Sequence, residues 1–300
     1  MDVGVIGAGT VGRNHARIYS GLKGVGTTYV YDIDDEVAAA TGAVVCRSRE
    51  DLLKRVDCVS IAVPTPHRAK IAREAIAAGV HTLIEKPPCL SSIECERLAK
   101  LIPDDLVVGI DLVERFNPVI TEIRDLIDDP HYVAFHRHNP ASPRVTGNSV
   151  VTDLMMHDID IVSHVLFPGE TCTIHASGTG DVAAALATFG RTPVYLSASR
   201  RAAKKVRLIY VEVEDRTIIG DLMTQEVTIY HRPETYGQSG GLYHQENVIE
   251  NLLVNKVEPL MIELETFLQA VREGTPFPVT IEQGLANLRI CEAIYRDLSA

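Results

Sequence analysis

The 300-residue chain is poor in three things, and each absence excludes a class of protein. No run of about 18 apolar residues occurs, so no transmembrane helix is expected. Positive charge is in deficit: 29 Lys and Arg stand against 40 Asp and Glu, a formal net charge of −11. Nonspecific nucleic-acid binding relies on basic surface displacing counterions, so no nucleic-acid partner is expected. Cysteine is sparse and unpatterned. The six residues (Cys46, Cys58, Cys89, Cys95, Cys172 and Cys291) contain no Cys-x-x-Cys pair. Zinc clusters and disulfide frameworks have close, regular spacing, so buried free thiols in a cytoplasmic protein are the expectation. The N-terminus enters a strand directly, with no room for a signal peptide.

At 46% hydrophobic the chain can bury two cores, and its length suits two domains. Its most informative stretch is Val3-Gly4-Val5-Ile6-Gly7-Ala8-Gly9-Thr10-Val11-Gly12. An apolar strand ends in Gly-x-Gly-x-x-Gly, and a helical pattern (Val11, His15, Ile18, Tyr19, Leu22) starts at once. Gly7 allows the tight turn, Gly9 lets a pyrophosphate approach bare backbone, and Gly12 lets helix and strand pack closely. The next strand, Thr27 to Asp32, ends in an acid about 20 residues on, where a carboxylate can bind the hydroxyls of an adenosine ribose. The reading is a dinucleotide site made by Gly7, Gly9, Thr10, Val11, Gly12 and Asp32. Asp32 would repel a 2′-phosphate, so NAD is expected over NADP; Arg13 is the one nearby cation that could reverse this.

Strands are expected at 2–6, 27–32, 43–46, 57–63, 80–85 and 106–110, with helices between, the clearest from Arg68 to Ala78 and closed by Gly79. Near-continuous apolar runs such as Val59 to Val63 suit parallel strands buried on both faces. The fold expected for residues 1–118 is therefore an α/β, doubly wound parallel sheet, a Rossmann domain. Beyond Pro118 the rhythm changes. A helix near 119–128, a strand near 131–138 and a helix near 151–166 precede strands at 171–178, 181–189, 193–200, 205–213, 216–221 and 225–231. Consecutive strands with short links make residues 119–300 an α+β domain with a largely antiparallel open sheet. Residues 232–257 read as an irregular flap or arm, and two amphipathic helices finish the chain. Along 182–189 both sheet faces are partly apolar, so a homodimer or homotetramer through the antiparallel sheet is expected.

Three constellations carry chemistry. Pro64, Thr65, Pro66 and His67 follow the fourth strand and shape a rigid loop over the cofactor crevice; a structural role for His67 is the plainer alternative. Glu85-Lys86-Pro87-Pro88 closes the fifth strand, where substrate and nicotinamide should meet. On the helix near 151–166, Asp153 and His157 are i and i+4 and Asp160 is i+3 from His157, so all three share a face that His164 continues. A carboxylate beside an imidazole suits a general base. A divalent metal held by Asp153, His157, Asp160 and His164 is the rival reading, and a solvated polar face the bland one. His136-x-His138 resembles a metal pair but reads as a surface or cleft feature.

These motifs together resemble the glucose–fructose oxidoreductase and inositol dehydrogenase family, Gfo/Idh/MocA, over essentially the whole chain. Its glycine motif falls on Gly7, Gly9 and Gly12, its next loop on Pro64, Thr65 and His67. Its Glu-Lys-Pro signature falls on Glu85, Lys86 and Pro87, and its Asp-x-x-x-His pattern on Asp153 and His157. Within the family, Glu114-Arg115-Phe116-Asn117-Pro118, Asp153 through Ile161 and Glu258-Pro259-Leu260 look most like the UDP-N-acetylglucosamine 3-dehydrogenases. One departure is the bulky Leu154-Met155-Met156, where many relatives carry glycine.

The resemblance implies an NAD(P)-dependent dehydrogenase of a sugar or nucleotide-sugar hydroxyl. It makes Lys86 the partner of the reacting oxygen, His157 the base, Asp153 its orienting carboxylate and Glu85 an anchor for the nicotinamide-side ribose. The substrate-binding set is Lys86, Arg115, Arg144, Asp153, His157 and Asp160, with no metal. The cations Arg137, Arg144, Arg191, Arg200, Arg201, Lys204, Lys205 and Arg207 add modest support for a pyrophosphate-bearing substrate; solvation of sheet edges explains them equally well. An inositol or free-sugar dehydrogenase and a non-catalytic dinucleotide-binding sensor are the alternatives.

Overall fold

The structure, a computed structural model, describes residues 1–141, 149–233, 236–239, 242–245 and 247–299. In its first part, strands β1 (Val3–Ile6), β2 (Thr28–Tyr31), β3 (Val44–Val45), β4 (Cys58–Ile61), β5 (His81–Glu85) and β6 (Val108–Asp111) alternate with helices α1 (Thr10–Tyr19), α2 (Asp35–Ala39), α3 (Arg49–Leu53), α4 (Thr65–Ala77) and α5 (Ser92–Ala99). The strands form one parallel sheet in the order β3-β2-β1-β4-β5-β6. Apolar runs account for it: Val3, Val5, Val59, Ile61, Leu83, Ile84 and Ile110 are all buried, as strands covered on both faces require. α4 ends at Gly79, whose φ of 72° suits a residue without a Cβ. Strand order reverses between β1 and β4, the place where such sheets bind ligands beyond their carboxyl ends.

The first compact unit is not the expected 1–118. It comprises Met1–Val113 together with Glu258–Arg289, so the chain returns to it through helix α8 (Pro259–Glu273) and the first part of α9 (Ile281–Leu298). The reason is packing. α8 buries Leu264, Phe267 and Leu268, and its buried Glu263 accepts the Leu112 N–H at 3.0 Å. An amphipathic pattern announces a buried face without naming the sheet that it will cover.

The second unit spans Glu114–Val257 and the chain from Ile290 onward. Helix α6 (Pro118–Leu126) leads to β7 (Tyr132–His138); then come β8 (Cys172–Gly178), β9 (Val182–Phe189), β10 (Thr192–Ser199), β11 (Val206–Glu212), β12 (Arg216–Asp221), β13 (Glu226–His231), the paired β14 (Tyr236–Ser239) and β15 (Leu242–Gln245), and β16 (Ile249–Leu252). Eight of these form a sheet in the order β16-β13-β12-β11-β7-β10-β9-β8. It is largely antiparallel, but β7 lies at its centre and runs parallel to β10. β7 precedes β10 by a long connection that includes a helix, and so escapes the short-link argument. The expected irregular arm at 232–257 instead carries a strand pair and an edge strand, β16 on β13.

Alternation along β9 separates buried Ala183, Ala185, Ala187 and Phe189 from exposed Val182 and Leu186. The helix expected at 151–166 is present in an unusual form: an α-helical centre, α7 (Met156–Ile161), between two wider π-helical turns, Val151–Met155 and Val162–Leu166. All six cysteines are free thiols, five of them buried and Cys172 half-buried. No helix among the described residues is long and apolar enough to cross a membrane.

Candidate active site

In the first unit the glycine turn leaves β1 as the spacing predicts. Gly7 has φ of 92°, and a Cβ there would stand 2.8 Å from the Ala62 carbonyl oxygen; at Gly12 it would stand 1.8 Å from that of Gly7. At Gly9 it would meet nothing within 4 Å. Asp32 braces the turn: its Oδ2 accepts the Ala8 N–H at 2.6 Å and its Oδ1 the Asp34 N–H at 3.1 Å. The helices that follow the strands differ in their starts. Side chains of Asp34, Ser48 and Ser91 cap α2, α3 and α5. No side chain caps α1 or α4. These two begin at the switch point; the first N–H groups of α1 suit an anion, whereas in α4 Pro66 has no N–H and that of His67 donates to the Pro64 carbonyl. Bare backbone at Gly9, an uncapped α1 and a fixed Asp32 fit a dinucleotide. On the other lip Pro64 precedes α4, with Thr65 buried and His67 exposed.

Glu85 ends β5, where it pairs with Asp111 across the ladder to β6, and Lys86 follows it. The Glu85 carboxyl is pushed up to about 7, chiefly by burial and then by Asp111, with Arg68, Lys86 and His15 opposing. Asp111 lies 3.1 Å from His15 Nε2, and its charge acts on the neighbouring Glu263 carboxyl. Burial and the neighbouring Asp111 carboxylate push Glu263 well above its ordinary range, whereas His15 holds Asp111 below its own despite burial. The environments of these two buried carboxyls thus push them in opposite directions, Glu263 up and Asp111 down. The sequence reading missed this cluster. Its one visible signal was Glu263, a carboxylate beside the apolar stripe of α8.

In the second unit Asp153 and His157 are half-buried on neighbouring turns, and Asp153 Oδ2 lies 3.9 Å from Arg200 Nη1. Because Asp153 lies in a π turn, the α-helical i,i+4 reckoning does not carry over unchanged. Asp160 is buried and gives both carboxylate oxygens to Arg115, one at 2.8 Å from Nε. These two predicted substrate residues are thus brought together as an ion pair. Next in sequence, Glu114 and Asp158 bind the fully buried Arg137: Nη1 donates to Glu114 at 2.7 Å and Nη2 to Asp158 at 2.7 Å. Arg207 donates to the same Glu114 oxygen at 2.8 Å. Arg137 and Arg207 hold the Glu114 carboxyl below its usual range against burial, while burial raises that of Asp158.

Most of the expected cations have carboxylate partners, while Lys204 and Lys205 are exposed. Arg137 and Arg207 belong to this framework, Arg191 pairs with Asp129, and Arg200 and Arg201 pair with Asp181. Arg144 lies outside the described residues. No group of three or more His, Cys, Asp or Glu that could hold a metal occurs among the described residues. His138 bonds Ser197 at 2.9 Å, and His136 stacks edge-on against it. A surface cavity of about 370 Å³, lined by residues including Glu214, Arg216, His231 and Arg232, shares no residue with the predicted sets.

The family described as "Oxidoreductase family, NAD-binding Rossmann fold" matches residues 1–108. UDP-N-acetylglucosamine 3-dehydrogenase of Acidithiobacillus ferrooxidans is 32% identical, over 98% of this chain and 95% of its own. The chain belongs to the Gfo/Idh/MocA oxidoreductase family. A solved structure of that dehydrogenase superposes with a TM-score of 0.88 at 30% identity, covering 99% of this chain and 97% of its own. Inositol 2-dehydrogenase of Rhizobium meliloti is 24% identical over 99% of this chain and 96% of its own. As a Gfo/Idh/MocA member the protein is an NAD(P)-dependent dehydrogenase acting on CH–OH groups.

Proposed function

We propose that the protein oxidises a secondary hydroxyl of a nucleotide sugar with NAD, the substrate being UDP-N-acetylglucosamine and the position its 3-hydroxyl. The observation that carries this reading is the near full-length likeness to a dehydrogenase of that name. A bound nicotinamide supplies the hydride acceptor. This chain's residues do the rest: the Lys86 ammonium hydrogen-bonds the reacting oxygen and stabilises its developing negative charge, and His157 takes the hydroxyl proton. Asp153 orients that imidazole, Glu85 holds the nicotinamide-side ribose, and Arg115 with Asp160 shapes the sugar side. Asp32 selects NAD: a carboxylate held by the Ala8 and Asp34 N–H groups accepts ribose hydroxyls and repels a 2′-phosphate. Association through the exposed sheet face around Leu186, and a cytoplasmic location suited to free thiols, complete the proposal.

One observation favours an inositol or free-sugar dehydrogenase instead. Arg137, Arg191, Arg200, Arg201 and Arg207 all have carboxylate partners, which weakens the argument from charge for a pyrophosphate and leaves it to Lys204 and Lys205 among the described residues. A non-catalytic sensor fits less well, since it needs no Lys86, Asp153 and His157. Absorbance at 340 nm with NAD and a panel of sugars decides. NADH should form with UDP-N-acetylglucosamine; formation with myo-inositol or glucose and with no UDP-sugar overturns the substrate and leaves the family standing.

A further inference from the structure

Arg68, one turn into α4, belongs to none of the sets that the sequence suggested, and it is 9% exposed. Each part of its guanidinium meets a group near the candidate lysine. Nε donates to the Val63 carbonyl at 2.8 Å, in the loop after β4. Nη1 donates to the Lys86 carbonyl and, at 2.9 Å, to that of Pro87. Nη2 lies 3.6 Å from Glu85 Oε2. The reason for such a contact is the end of the ladder: β5 pairs with β6 only as far as Glu85 and Asp111. Past that point the sheet supplies no donors, and carbonyl oxygens away from water need them. The guanidinium fork replaces the missing strand.

We propose that Arg68 is a positioning residue for the reaction, tying the Val63 loop to the Lys86–Pro87 backbone and so fixing where the Lys86 side chain starts. This rests on the reading of Lys86 as the partner of the reacting oxygen. A planar fork is required, because the three carbonyls and the carboxylate are approached from different corners of the guanidinium. A lysine ammonium offers its donors from one point on a flexible stem. Reaction geometry tolerates little drift: misplacement by about 1 Å costs on the order of 10²-fold in rate.

The test compares Arg68→Met, which removes every donor and the charge, with Arg68→Lys, which keeps the charge and loses the fork. With whichever sugar the wild-type enzyme oxidises, kcat of Arg68→Met should fall by roughly 10²-fold. The KM for that sugar and the Kd for NAD should stay within about threefold, as expected when an interaction made only in the transition state is lost. Arg68→Lys should recover only part of kcat, and it carries the comparison if the methionine variant does not fold. Unchanged kcat in both variants, or loss of NAD affinity in step with kcat, overturns the proposal. Amide hydrogen exchange of residues 85–90 in the NAD-loaded protein supplies a readout that needs no substrate. Exchange should quicken there in Arg68→Met; unchanged exchange refutes the clamp. Should no sugar reduce NAD with the wild-type enzyme, the functional reading fails while hydrogen exchange still decides the clamp.

Discussion

The two compact units use charge in opposite ways. In the first, Asp32 and Glu85 stand where parallel strands end or have just ended, and main-chain N–H groups or a buried cluster fix them there. In the second, most of the charges nearest the predicted substrate residues neutralise one another: Arg115 with Asp160, and Arg137 with Glu114 and Asp158. Strand-end chemistry is set by local backbone and can be read from spacing. Framework chemistry depends on which distant segments meet, so an isolated arginine in the sequence reveals neither its partner nor its burial.

The largest expected effect lies where the units differ most in purpose. Lys86→Ala and His157→Ala should each lower turnover by roughly 10²- to 10⁴-fold, with the Kd for NAD nearly unchanged by calorimetry. Asp153→Asn should cost less, because the imidazole remains. Near-normal turnover of His157→Ala across pH would mean that the base has been misassigned. The framework should behave in the reverse way. Arg137→Met strands the buried Asp158 carboxylate and leaves Glu114 with Arg207 and Asn117, and removing one member of a buried ion pair typically costs about 3–5 kcal/mol. Denaturant unfolding should show that loss, and a change within error would return Arg137 to the list of ligand-binding cations.

Legibility followed the same division. The strands of the parallel sheet, the glycine turn, Asp32 and the Glu85-Lys86 strand end were visible because a period of two, an apolar run or a glycine has a local cause. The contacts of Arg68, His15 and Asp111 went unseen, since a polar residue on a helix or at a strand end does not reveal its partners until its neighbours are known. The place of α8 in the first unit and of β7 in the middle of the second sheet were hidden for a related reason. Both depend on long connections, and sequence order says nothing of where those return.

Asp32→Ala should weaken NAD by roughly 10- to 100-fold, the range for hydrogen bonds to a charged group. NADP should be affected less, so the preference narrows; equal or tighter NADP binding by the wild-type protein would refute it. The Glu85 carboxyl supplies a pH test. Its value of about 7 in the folded chain lies above the ordinary 4.5. The folded state therefore holds the extra proton between those values, and this group's stabilisation is full below about pH 4.5 and lost as pH rises through 7. Glu85→Gln should flatten the decline in Tm between pH 5 and 7.5; a decline as steep as wild type would contradict the shift. Smallest of all should be Arg201→Ala. Its side chain is 66% exposed beside Asp181, and exposed pairs contribute about 0.2–1 kcal/mol.

Hydride transfer from C3 of a nucleotide sugar to NAD can be followed directly with an isotope. UDP-N-acetylglucosamine carrying deuterium at C3 is incubated with NAD, and the reduced cofactor is weighed by mass spectrometry. Hydride transfer from C3 gives NADH one mass unit heavier than that formed from unlabelled sugar. Unlabelled NADH from that substrate, or no NADH at all, would contradict it.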